Sequence, residues 1–113
     1  MAEFDEADLD AIEARAGAAT PGPWKAFVEG RDHLSGDDFL RTGGLDDSAP
    51  DMYVSLAYSN KSGAVPASPN DLDFIASSRQ DVPRLVAEAR RLRAFHLANS
   101  APSGGRIRYG WRA

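Results

Sequence analysis

The fold is decided by the last regular stretch of the chain, Asp81-Val82-Pro83-Arg84-Leu85-Val86-Ala87-Glu88-Ala89-Arg90-Arg91-Leu92-Arg93-Ala94-Phe95-His96. Its apolar side chains recur every three or four residues, which predicts the buried face of a helix: Val82, Leu85, Val86, Ala89, Leu92, and Phe95 or His96. Asp81 suits a helix N-cap, and Pro83 is tolerated in a first turn. A run of about 17 residues is long enough to be the main packing helix.

A second C-terminal helix is predicted just before it. Ser68 or Asn70 can cap this helix, which extends through residues 75–78. Pro69 fits its first turn if Ser68 is the cap. Because Asp81 has the character of a fresh N-cap, the sequence predicts two separate helices here.

Another helix is predicted near the start of the chain. Asp5 fits its N-cap, and Asp8, three residues later, is a weaker relative of the glutamate in a capping box. Gly17 is a suitable stop. Between them lies a narrow apolar stripe at helical spacing, formed by Leu9, Ile12 and Ala16. One thin stripe cannot hold a helix folded alone, so this helix needs a partner surface.

The middle of the chain predicts short strands separated by turns. Thr20-Pro21-Gly22-Pro23 breaks regular structure, because each proline lacks an N–H donor. Aromatic, branched and alternating residues predict strands over 24–28, 38–42 and 52–58, and residues 59–69 have the composition of a loop.

The order of these elements predicts a small α+β fold. It has an N-terminal helix, a small antiparallel sheet of about three strands, and two C-terminal helices. We expect residues 1–113 to form a single small domain, with residues 100–113 as either an edge strand or a mobile tail.

Composition limits the class of protein. The chain has 113 residues, 42% of them hydrophobic and 27% charged, which is ordinary for a globular protein. It has no cysteine, which excludes disulfides, thiolate zinc sites and cysteine nucleophiles. The start, Met1-Ala2-Glu3-Phe4-Asp5-Glu6, is acidic where a secretory signal needs positive charge, and no run of about 18 apolar residues exists. We therefore expect a cytoplasmic protein without membrane spans.

Charge is distributed unevenly along the chain. Residues 1–51 hold 13 acidic and 4 basic side chains, whereas residues 52–113 hold 4 acidic and 9 basic ones. Since the formal net charge is −4, attraction between the two ends of one domain, or a head-to-tail dimer contact, is favoured over a basic face for nucleic acid.

Two stretches of the chain resemble a known group of proteins. They are Ala18-Ala19-Thr20-Pro21-Gly22-Pro23-Trp24 and Asn70-Asp71-Leu72-Asp73-Phe74-Ile75-Ala76-Ser77-Ser78-Arg79-Gln80-Asp81-Val82-Pro83-Arg84-Leu85. Together they resemble the Ead-like accessory proteins of phages and prophages and their actinobacterial relatives. The resemblance covers residues 1–24 and 70–93. It implies a small phage-linked protein that is dispensable for building the virion, and it carries over no activity and no catalytic residue.

The densest polar cluster is Arg31-Asp32-His33-Leu34-Ser35-Gly36-Asp37-Asp38. One interpretation makes His33, Asp37 and Asp38 the ligands of a divalent-metal hydrolase. The spacing matches no metal-ligand motif, which favours a solvated loop tip, and the acidic loop of Asp46, Asp47 and Asp51 has no ligand order either. We expect no catalytic residue, no metal site and no cofactor.

The most suggestive side chains for ligand binding are a set of arginines and aromatics near the end of the chain. They are Arg84, Arg90, Arg91, Arg93, Arg106, Arg108, Tyr109 and Trp111. Guanidinium groups bind phosphate and aromatic rings stack on bases, so a groove formed by these residues would hold a nucleotide or a single strand. The competing interpretation, which we favour, is a solvated helix face followed by a tail that forms an edge strand or a dimer contact.

These observations predict a non-enzymatic accessory protein that acts by binding, with a host protein as its partner. We also expect a homodimer, because so small a core benefits from further burial. The alternative is a binder of nucleotides or nucleic acid that uses the arginine-rich helix and tail.

Overall fold

Two helices and two small antiparallel sheets make up the regular structure of the described residues. The structure is a computed structural model and describes residues 4–45, 49–60 and 62–99. In chain order the elements are α1 (Glu6–Ala18), β1 (Lys25–Phe27), β2 (Phe39–Arg41), a 3₁₀ turn (Gly43–Leu45), β3 (Asp51–Met52), β4 (Ser55–Ala57), β5 (Ala64–Pro66) and α2 (Pro69–Ala98). The α+β class predicted from the sequence is confirmed.

The chain divides into two compact units. Of the described residues, those up to Ala18 and those from Val82 onward form the terminal unit, and Ala19–Asp81 form the central unit. Helix α2 contributes its first part to the central unit and its second part to the terminal unit. That residues 1–113 form a single domain stays a prediction.

Helix α1 in the terminal unit begins as its sequence predicts. The backbone N–H of Asp8 donates to Asp5 Oδ1 at 2.9 Å, and the backbone N–H of Asp5 donates to Asp8 Oδ2 at 2.9 Å. This reciprocal pair is a capping box with aspartate in place of glutamate. The bond from the Asp8 N–H lowers the pKa of Asp5 below its usual value. Leu9 is buried, and Ile12 and Ala16 are half-buried, so the predicted stripe is the inner face of the helix.

The prediction of two C-terminal helices was wrong, because residues 69–98 form one continuous helix, α2, with Pro83 inside it. Ser68 caps the helix by accepting from the Asp71 N–H at 3.1 Å. A proline inside a helix removes one backbone hydrogen bond, and its ring crowds the carbonyl of the preceding turn. The helix therefore needs other contacts to remain continuous there. Leu72 and Ala76 ahead of Pro83 are buried. Val86 behind it is also buried, so packing stabilises the helix on both sides of the proline.

A three-stranded sheet in the central unit has the order β1-β2-β3, with antiparallel pairs throughout. The prediction of strands near 24–28 and 38–42 is confirmed. Ala26 pairs with Leu40, and both side chains are buried in the core. On the opposite face Phe27 pairs with Phe39, and their rings stack with centroids 5.3 Å apart.

The stretch predicted as one strand over residues 52–58 is divided between two sheets. Met52 ends β3, which pairs with β2, whereas β4 pairs with β5 to form a separate two-stranded hairpin. Val54 lies between them and packs against the core. Strand β5 falls inside the predicted loop 59–69. Its Pro66 removes an N–H donor, which sequence patterns associate with loops or edge strands.

The core of the central unit lies between the first sheet and α2. Its buried members are Ala26, Leu40, Ala67, Leu72 and Ala76, with Trp24, Val54 and Ile75 packed against them. Leu40 and Leu72 are its largest fully buried side chains, and three of its members are alanines. With so small a core, polar contacts at its edge matter for holding the loops in place.

Candidate functional site

The predicted ligand-binding arginines that the structure describes all lie on the second half of α2. Arg84 and Arg91 are seven residues apart and therefore share one face, whereas Arg90 and Arg93 project from another. The other predicted residues, Arg106, Arg108, Tyr109 and Trp111, lie outside the described residues. The described part of the set thus does not converge on one groove.

Arg90 binds three carboxylates of α1 in the terminal unit. Its guanidinium nitrogens lie 2.7 Å from Glu6 Oε1, 2.8 Å from Asp10 Oδ1 and 3.1 Å from Glu13 Oε1. These bonds, that to Asp10 foremost, raise the pKa of Arg90. The carboxylates occupy successive turns of one face of α1, which is the spacing a single guanidinium can bridge.

The two neighbouring arginines also bind oxygen atoms of this chain. Arg93 donates to the backbone carbonyl of Phe4, with Glu6 Oε2 3.5 Å away. Arg91 donates to both carboxylate oxygens of Glu88, at 2.6 and 3.0 Å, and this contact lowers the pKa of Glu88. A phosphate would have to compete with these carboxylates for the same donors.

These contacts give the uneven charge of the sequence a structural role. The acidic α1 and the basic second half of α2 attract each other inside the terminal unit. This supports the interpretation that the two ends of the chain attract, although exposed ion pairs of this kind are individually weak.

His33 occupies neither a solvated loop tip nor a cluster of metal ligands. Its side chain is only 14% exposed and packs against the ring of Phe39, with centroids 5.2 Å apart. Its Nδ1 accepts from the Ser35 N–H at 3.0 Å, and among the described residues its buried Nε2 has no hydrogen-bond partner. Asp38 Oδ1 accepts from the Glu29 N–H at 2.7 Å, so this carboxylate oxygen holds the loop between β1 and β2 in place. Within the described ranges no three His, Asp or Glu side chains come together as a metal site would need.

The loop before β1 is held by the end of the central unit's helical segment. Gln80 Oε1 accepts from the Trp24 N–H at 2.7 Å, and Gln80 Nε2 donates to the Trp24 carbonyl at 3.2 Å. Arg79 Nε donates to the Thr20 carbonyl at 2.8 Å. The indole of Trp24 donates to the Thr20 and Pro21 carbonyls. We call this group of contacts the Trp24–Gln80 clamp.

The clamp joins the two stretches on which the sequence resemblance rests. Thr20 and Trp24 belong to the first stretch, and Arg79 and Gln80 belong to the second. Gly22 lies close to this crossing, because an added Cβ would lie 3.1 Å from Arg79 Cγ and 3.3 Å from Gln80 Oε1. Both stretches therefore serve one architectural purpose.

One exposed apolar surface of the central unit lies on the β4–β5 hairpin. Leu56 and Val65 are directly opposed and are 38% and 37% exposed, and Tyr58, two residues after Leu56, is 47% exposed. By strand alternation these three side chains share the face that at its base carries Val54. We call them the hairpin row. Sequence analysis missed it, because it interpreted half of the hairpin as loop.

Comparison with family models, curated proteins and solved structures found no match to this chain. The resemblance to phage accessory proteins therefore stays a prediction. Among the described residues no helix is long and apolar enough to cross a membrane.

Proposed function

We propose that this chain is a small accessory protein of the phage type that acts without catalysis, by binding a protein of the host cell through the hairpin row. The observation that carries the proposal is the exposure of Leu56, Tyr58 and Val65 on one face of the β4–β5 hairpin. Contiguous apolar and aromatic side chains at a surface are typical of protein interaction sites.

The base of the hairpin is anchored, which favours a preformed binding surface. The Ala67 N–H donates to the Val54 carbonyl at 2.9 Å, just beyond the three paired residues of each strand. Ala67 is buried and Val54 packs against the core. The hairpin row thus begins at the core and continues outward from it, so a partner would extend an existing apolar layer.

The hairpin also carries the means to pair with a partner's backbone. Among the described residues β4 pairs only with β5, and β5 only with β4. Two short strands are marginal alone in water, and unpaired strand edges accept an added strand. We therefore propose that the partner presents an extended segment with apolar side chains, which cover the hairpin row while its backbone pairs with a strand edge.

The Trp24–Gln80 clamp supports the phage-type part of the proposal. The two stretches that carry the resemblance hold each other through several hydrogen bonds, so the resemblance describes one piece of structure rather than two separate similarities. Residues 25–69, outside the resemblance, contain the hairpin row. The proposed binding surface thus lies in the part of the chain that the resemblance does not cover.

The alternative function, binding of nucleotides or nucleic acid, depends on the arginines of α2. Arg90, Arg91 and Arg93 all donate to oxygen atoms of this chain. An anion would gain their bonds only by breaking existing ones, so the geometry favours the protein partner. Nucleic-acid binding would be recognised by affinity that falls steeply with salt.

The proposal is tested by affinity capture of the full-length chain from cells of its source organism. The Leu56→Lys variant places a charge in the hairpin row, and we expect it to lose the captured partner at least about tenfold. Leu34→Lys is the matched control, because Leu34 is an exposed leucine of the same unit outside the row. Equal capture by both variants would contradict the proposal.

A further inference from the structure

The second half of α2 carries an exposed apolar row of its own in the terminal unit. Leu85, Leu92 and Phe95 are 66%, 42% and 62% exposed. Leu85 and Leu92 are seven residues apart, so they lie two turns apart on the same side of the helix, and Phe95 lies one further turn along. Val86, in contrast, is buried. Packing among the described residues of the unit, 4–18 and 82–99, leaves this row exposed.

We propose that the occupant of this row is a second copy of the same chain, which packs antiparallel against it about a two-fold axis between Glu88 and Ala89. The positions of the leucines fit that symmetry. Leu85 and Leu92 are equally far from the axis, so each lies opposite the other leucine of the second copy. In such an interface one patch contacts itself, as in most homodimers.

Charge complementarity also favours a second copy. Glu88 and Arg91 flank the centre of the row and form an ion pair with nitrogen–oxygen distances down to 2.6 Å. The proposed axis brings Glu88 near Arg91 of the second copy, since their positions are symmetric about a point only one residue away. The Glu88 and Arg91 side chains of two copies then form a neutral group of four alternating charges. A partner with a strong charge of one sign would instead be repelled by either Glu88 or Arg91.

The size of the helix surface indicates a weak dimer. Ala89, near the axis, has a small side chain that permits the helices to approach closely. Three large apolar side chains from each copy are fewer than a standard interface contains. We therefore expect a dissociation constant on the order of micromolar. This inference uses different residues from the hairpin row, and its failure would leave the proposed function untouched.

The experiment is sedimentation velocity of the full chain, with two single charge variants and their mixture. Glu88→Arg makes the central charges of one chain positive, and Arg91→Glu makes them negative. We expect each variant alone to dimerise at least about tenfold more weakly than the natural chain. An equimolar mixture is expected to recover the dimer, because unlike charges then meet across the axis. Neither variant has the internal Glu88–Arg91 pair, so recovery can only come from contact between chains.

Two further measurements make the result unambiguous. Leu97→Lys is the control, since Leu97 is 73% exposed on another side of α2 and should leave the association unchanged. Circular dichroism establishes that every variant is folded. The proposal is overturned if the natural chain remains monomeric at concentrations well above micromolar, or if mixing the two charge variants restores no dimer.

Discussion

The side chain of Gln80 pairs with both backbone groups of Trp24. Its Oε1 accepts the Trp24 N–H at 2.7 Å, and its Nε2 donates to the Trp24 carbonyl at 3.2 Å. The two residues are 56 positions apart, and the contact is half-buried. It resembles the pairing made by a neighbouring strand, because one amide side chain satisfies both the donor and the acceptor of Trp24, the residue just before β1.

Replacing Gln80 by leucine should destabilise the central unit. The variant leaves the Trp24 N–H and carbonyl without their partner, and an unpaired half-buried polar group costs about 1–3 kcal/mol. We expect the free energy of unfolding in urea to fall by about that amount. Ser77→Ala, at an exposed position of the same helix, should change it by less than about 0.5 kcal/mol. Equal effects from both variants would show that the clamp contributes nothing.

Two glycine substitutions should have opposite effects on stability. Gly22→Ala introduces a Cβ 3.1 Å from Arg79 Cγ and 3.3 Å from Gln80 Oε1, so both side chains must shift by a few tenths of an ångström. Because these side chains donate to or accept from Thr20 and Trp24, we expect the shift to cost about 1 kcal/mol. Gly17 lies inside α1 with nothing within 4 Å of an added Cβ. Gly17→Ala should therefore stabilise the chain by about 0.5–1 kcal/mol. Thermal unfolding of both variants measures the difference, and a stabilising Gly22→Ala would contradict the close contact.

Arg90 should act on stability rather than on ligand binding. Arg90→Ala removes the partner of Glu6, Asp10 and Glu13, and we expect a lower urea midpoint at low salt. The difference from the natural chain should shrink as salt screens the charges. Arg90→Lys keeps the charge but not the planar fork, so its midpoint should be intermediate. If Arg90→Ala instead leaves stability unchanged and abolishes binding of a nucleotide, the arginine set is a ligand site.

Asp73 should titrate below its usual range because of Arg31. Two hydrogen bonds of 2.9 Å join the side chains and lower the pKa of Asp73. A carboxylate with a lowered folded-state pKa stabilises the protein above its unfolded value, and this stability is lost as the pH falls through the folded value. Stability should therefore be level above about pH 5 and decrease below about pH 4.

Carbon-13 chemical shifts of the Asp73 carboxyl group test this directly. Arg31→Gln should raise its pKa toward the ordinary range for aspartate. Lys25→Gln should change it less, since Lys25 contributes the smallest lowering effect. An identical titration curve in the natural chain and in Arg31→Gln would show that the pair does not form in solution.

Local sequence patterns predicted the local features of the fold. Asp5 and Asp8 cap α1 as their spacing indicates, and Ala26 and Phe27 lie on opposite faces of β1 as alternation requires. The helix prediction was wrong at Pro83, where a new helix was expected to begin. The sequence alone does not reveal that residues on both sides of Pro83 are buried, and this burial outweighs the energetic cost of a proline inside a helix. Strand β5 was likewise predicted to be part of a loop, because Pro66 is a residue typical of loops.

The candidate site was less predictable than the fold, for a physical reason. The hairpin row exists only because Leu56 and Val65 are brought together across a turn, and Arg90 meets Glu6 across most of the chain. Such contacts depend on tertiary packing, and composition reveals only that the charges are available. From the sequence the arginines were therefore candidate ligand residues beside the favoured interpretation of a solvated helix face, whereas the structure gives three of them internal partners.

Site-specific photo-crosslinking tests the central claim, that the hairpin row binds a host protein, most directly. The photoreactive residue p-benzoylphenylalanine takes the place of Tyr58 in the row or of Leu34 outside it, and the protein is irradiated in cells of its source organism. We predict one discrete adduct with the same host protein from position 58, lost when Leu56→Lys is added, and none from position 34. No adduct at position 58, or the same adduct from both positions, would contradict the claim.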